Sequence, residues 1–134
     1  MITALCLLVL LPAAAAAEAP APDRPLLEKR LAAAESAKDW PAALAAAREL
    51  DALAEADHAE TLFRVARLNA LLGHREEASA ALETLSRAAL FDVGRIRRDE
   101  AFSALREDER FKKAVRAIWL RGYLWLLERP ERDT

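Results

Sequence analysis

Two histidines, one cysteine and three glycines are the residues best suited to carry chemistry in this 134-residue chain, and their spacing gives them little to do. A nucleophilic mechanism needs a serine or cysteine beside a positioned imidazole. His58 falls at an expected helix start and His74 in an expected turn, both positions that suggest solvent exposure, and Cys6 lies far away in an apolar leader. No His-Glu-x-x-His, cysteine pair or aspartate-rich calcium loop supplies a metal set. Gly73, Gly94 and Gly122 are too dispersed to form a phosphate-cradling loop. The residues point away from an enzyme and imply no cofactor and no metal.

Charge narrows the field further. Arg95, Arg97 and Arg98 form a basic cluster near Arg106 and Arg110. The cluster could meet an anion such as a partner's carboxylates. The favoured alternative is a solvated helix end paired with Asp92, Asp99 and Glu100. From Glu18 to Leu85 there are 8 basic and 13 acidic residues, a net −5; from Ser86 to Thr134 there are 12 and 9, a net +3. So small an imbalance argues against a nucleic-acid binder, which needs a strongly basic face.

The apolar residues near the C-terminus carry a stronger signal. Phe111, Val115, Ile118, Trp119, Trp125 and Leu126 recur at helical spacing and are expected to pack on the preceding hairpin. Leu120, Tyr123, Leu124 and Leu127 form a second apolar patch on roughly the opposite side of the same helix. Something must cover it. The covers to weigh are a second copy of the chain in a homodimer, a different protein, or the linker and chain ends. A membrane surface is another, with Trp119, Tyr123 and Trp125 at the interface and Lys112, Lys113, Arg116 and Arg121 near headgroups.

These residues must be positioned by helices. Residues 1–17 carry no charge and end in Ala15-x-Ala17, the form of a signal peptide cleaved after Ala17, with an uncleaved N-terminal membrane anchor as the alternative. The expected location is periplasmic or secreted, in a bacterium. Residues 18–25 are a proline-punctuated linker, 26–129 a helical domain and 130–134 a short tail. Within the domain β-branched residues are scarce and no alternating run reaches strand length, so the fold class is all-α. Caps at Asp39 and Asp57, the turn glycine Gly73 and the stop at Pro130 divide it. Helices are expected over about 26–37, 39–56, 57–72 and 75–90, then short pieces over 92–97 and 100–105, then a long helix from about Asp108.

The first four of these helices repeat. Aligning Lys38 with Gly73 pairs Leu27 with Leu62, Ala43 with Ala78 and Leu50 with Leu85. The order Leu62, Ala66, Gly73, Ala78, Leu82, Leu85 resembles a tetratricopeptide repeat, with Asn69 where that family has an aromatic. The stretch from Phe91 through Leu105-Arg106-x-Asp108-x-Arg110-Phe111 resembles the segment that often closes such arrays.

The resemblance implies a short right-handed helical-hairpin solenoid of about two repeats plus C-terminal capping helices. Its concave face would bind a protein or peptide as a non-catalytic adaptor of the cell envelope. Groove positions carried over from the family are Glu28, Ala32 and Glu35 in the first repeat, and Glu60, Phe63, Arg67 and Ala70 in the second.

Overall fold

The computed structural model describes residues 23–53, 58–88 and 90–128. The regular elements among them are all helical: α1 Arg24–Ser36, α2 Trp40–Ala52, α3 His58–Leu71, α4 Arg75–Ala88, a short α5 Val93–Arg98, a 3-10 helix Glu100–Leu105, and α6 Glu109–Glu128. The expected leader, most of the linker, the cap at Asp57 and the tail lie outside the described residues.

Local chemistry sets the helix ends. α1 starts two residues before the expected Leu26, because Pro25 sits in its first turn, where a missing N–H breaks no bond. The last two linker positions therefore belong to the helical body. Asp39 Oδ1 accepts from Ala42 N at 3.2 Å, and Asp108 Oδ1 accepts from Phe111 N at 3.0 Å, capping α2 and α6. Asp92 caps α5 through Gly94 N, and a Cβ on Gly94 would stand 2.9 Å from that capping oxygen. That crowding explains the glycine.

α1 packs on α2, α2 on α3, α3 on α4, and α4 on α6, while α3 also meets the 3-10 helix. The two hairpin turns repeat bond for bond. Ala37, Lys38 and Asp39 donate to the carbonyls of Ala33, Glu35 and Ala34; thirty-five residues later Leu72, Gly73 and His74 donate to Leu68, Ala70 and Asn69. Lys38 (φ 55°) and Gly73 (φ 77°) both take the left-handed conformation that lets the chain reverse.

Leucine and alanine fill the interior between these turns. One core joins Leu27 and Leu31 to Ala43, Ala47, Leu50 and Leu68; another joins α3 and α4 to Phe102, Phe111, Val115 and Ile118. Ala66 and Ala78 are both 0% exposed and belong to the same core as Leu62, Leu82 and Leu85. Asn69 is buried, with its Nδ2 donating to Val65 O at 2.9 Å and its Oδ1 3.3 Å from His74 Nδ1. It fastens the turn through hydrogen bonds, where the family pattern has a ring.

Candidate functional site

Two regions were expected to bind a partner, and the structure treats them differently. At the second-repeat groove positions, α5 and the 3-10 helix have moved in. Phe63 is only 5% exposed, stacked on Phe91 with ring centres 5.0 Å apart and covered by the Arg95 guanidinium 4.6 Å from its centroid. Arg67 Nε donates to Asp99 Oδ2 at 2.9 Å, and Asp99 also caps the 3-10 helix through Ala101 N. Ala70 packs against the core. Phe63 is thus a buried core residue, and Arg67, a third exposed, is paired with Asp99. The segment after α4 supplies an aromatic, an arginine and an aspartate that complement them.

Glu60 is drawn into the same contact. Its oxygens accept from Arg95 Nη1 and Nη2 at 2.6 and 3.0 Å. These hydrogen bonds hold its carboxyl below the usual range, against a smaller opposing effect of burial and with help from the charges of Arg95 and Arg64. Glu83 is lowered in the same way by Arg110, which donates to it at 2.7 and 3.1 Å. Most of the basic cluster is therefore spoken for: Arg98 lies 3.8 Å from Asp92 and Arg106 3.7 Å from Glu100. In the first repeat, Glu28 and Ala32 remain accessible. They line a groove of about 520 Å3 together with Arg24, Leu50, Glu60, Thr61 and Arg64.

The C-terminal helix is the more open region. Its twenty residues span roughly 30 Å. Phe111, Ala114, Val115 and Ile118 are buried, and no described residue after Ile118 is. The helix outruns its support because α4 ends at Ala88, where Arg121 Nη1 donates to the carbonyls of Ser86 and Arg87 and caps it. That bond also removes Arg121 from the set of cations free to meet headgroups.

Beyond that point, Trp119, Leu120, Tyr123, Leu124, Trp125, Leu126 and Leu127 are between 39% and 64% exposed. Leu120, Tyr123, Leu124 and Leu127 lie in the open as expected. Trp119, Trp125 and Leu126, whose phase with Ile118 suggested packing on the hairpin, remain 44–61% exposed. Trp119 and Tyr123 stack on each other at 5.4 Å and 8°.

Between this end of α6 and the segment leading into α5 runs a groove of about 420 Å3, walled by Leu90, Phe91 and Val93 and floored by Ile118, Gly122 and Leu126. A second groove of about 400 Å3 shares Trp119 and has Arg97, Lys112 and Arg116 on its rim.

The histidines have structural neighbours. His58 Nδ1 lies 3.1 Å from Asp51 Oδ1, joining the start of α3 to the end of α2. His74 faces Asn69. Among the described residues no group of three His, Cys, Asp or Glu could hold a metal ion, and no helix is long and apolar enough to cross a membrane. Compared with family models, curated proteins and solved structures, the chain matches none.

Proposed function

We propose that this chain is a non-catalytic interaction scaffold whose contact element is the apolar end of α6. In this reading the two hairpins are a short, right-handed tetratricopeptide-like array. The reading is supported by the turns that repeat bond for bond and by small residues at the Ala66–Ala78 crossing. The contact itself is carried by one observation: seven large apolar side chains stand 39–64% exposed along the last turns of α6. A terminal solenoid helix ordinarily turns a polar face outward as a cap, and a patch this large marks an interaction surface. In this reading the work is done in the bacterial cell envelope, which the apolar, uncharged residues 1–17 favour.

The double variant Leu124→Glu, Leu127→Glu tests this. It should abolish association with the partner while circular dichroism stays unchanged; undiminished association would refute it.

A second reading keeps the groove expected on the concave face, and is favoured by the grouping of Glu28, Ala32, Glu60 and Arg64 around one depression. Its mixed charges suit an extended peptide bearing both signs. Glu28→Arg would weaken such binding and leave α6 contacts untouched.

A further inference from the structure

Resting on the reading of α6 as contact element, its occupant can be named from four observations. The first is size. At the observed exposures, the seven side chains and Leu90 present roughly 700–800 Å2 of apolar surface, about what one partner contributes to a standard interface. The second is the composition of the residues that directly follow α6. Residues 129–134 (Arg-Pro-Glu-Arg-Asp-Thr) supply no large apolar side chain to it.

The third is charge. From Gly122 to Leu127 there is none, so two such surfaces can meet without like charges facing each other. The fourth is Gly122. A glycine inside a helix costs about 1 kcal/mol relative to alanine, yet a Cβ there would meet nothing within 4 Å, so the fold of one chain does not require it. It does open the floor of the groove to another backbone, because the separation of two packed helices depends on the side chains at their contact.

We propose that a second copy of this chain covers α6: two α6 helices cross antiparallel at Gly122, each lying in the groove between the other's α6 and its residues 90–93. The arrangement is isologous and closes on itself. Each helix then meets its twin across Gly122, with Leu90 and Phe91 of the partner copy along its flank. A lipid surface is the poorer occupant, since an interfacial helix keeps one polar face for water and an end-on insertion would drag the charged residues 128–134 with it.

Sedimentation equilibrium of the full chain tests this, with Gly122→Leu and Gly122→Cys as variants. The wild type should have twice the monomer mass. Gly122→Leu should raise the dissociation constant at least about tenfold with unchanged circular dichroism. With Cys6→Ser in the background, Gly122→Cys should cross-link to itself on oxidation, whereas Ser103→Cys on the exposed 3-10 helix should not.

A dimer indifferent to Gly122→Leu and refractory to the Gly122→Cys cross-link would overturn the crossing. A monomeric wild type that sediments with anionic phospholipid vesicles, and loses this with Leu124→Glu, would overturn the dimer but keep α6 as contact element. A monomer indifferent to vesicles, and unaltered by Leu124→Glu, would overturn both.

Discussion

The guanidinium of Arg95 lies 4.6 Å from the centre of the Phe63 ring and closes the face of α3 on which a ligand would have to land. The same guanidinium grips Glu60 through two hydrogen bonds. Phe63 in turn touches Phe91, and Phe102 lies with its centre 6.1 Å away. One arginine thus seals the seam between the α3–α4 hairpin and the segment that follows, and Phe63 belongs to the core.

Phe63→Ala should therefore act on stability. Removing a buried phenylalanine costs roughly 3–5 kcal/mol. Urea unfolding followed by circular dichroism would show it, and a loss under about 0.5 kcal/mol would return Phe63 to the surface.

Acid should weaken the same seam. The Glu60 carboxyl is lowered in the folded chain, so its contribution is fully present above its ordinary value of 4.5 and is lost as pH falls through the folded value. Glu83, lowered by Arg110, follows the same sign. Both pairs are substantially exposed, and salt should blunt the effect. Thermal midpoints of the wild type and Glu60→Gln should differ at about pH 6 and converge as the pH falls below the folded value of the carboxyl. A gap that stayed constant across that range would exclude the Glu60 charge as its source.

The Ala66–Ala78 crossing should reject bulk. Ala78→Leu forces a large side chain into a fully buried position and should cost at least about 1–3 kcal/mol. Ala45→Leu, on the exposed face of α2, should stay within about 0.5 kcal/mol of wild type. Equal effects would mean that the hairpins do not pack through these alanines.

The paired turns offer opposite outcomes from one conformation. Gly73 is left-handed with open space around it, so Gly73→Ala meets only backbone strain and should lose about 1 kcal/mol. Lys38 already bears that strain, and Lys38→Gly should gain up to about 1 kcal/mol. Thermal melts of the two variants, shifting in opposite directions, would establish the shared geometry; shifts of the same sign would deny it.

Much of the fold was legible because its signals are local. Asp39 and Asp108 cap the helices they precede, and the alignment of Lys38 with Gly73 marked two turns that share φ and hydrogen bonding. The patch Leu120, Tyr123, Leu124 and Leu127 was legible from helical phase alone. The fate of Trp119, Trp125 and Leu126 was not. Periodicity fixes which way a side chain points, but not whether a neighbouring helix is long enough to lie beneath it, and α4 stops at Ala88. The surroundings of Phe63 and Arg67 were not legible for a related reason. Their partners Phe91, Arg95 and Asp99 lie about thirty residues downstream, beyond the reach of any local pattern.

Acrylamide quenching of tryptophan fluorescence is the most direct test of α6 as the covered contact element. In a Trp40→Phe background only Trp119 and Trp125 report. Quenching should be efficient in dilute protein and fall as concentration rises, and Leu124→Glu should restore it. Quenching that stays equally efficient at every concentration, with and without phospholipid vesicles, would contradict the account.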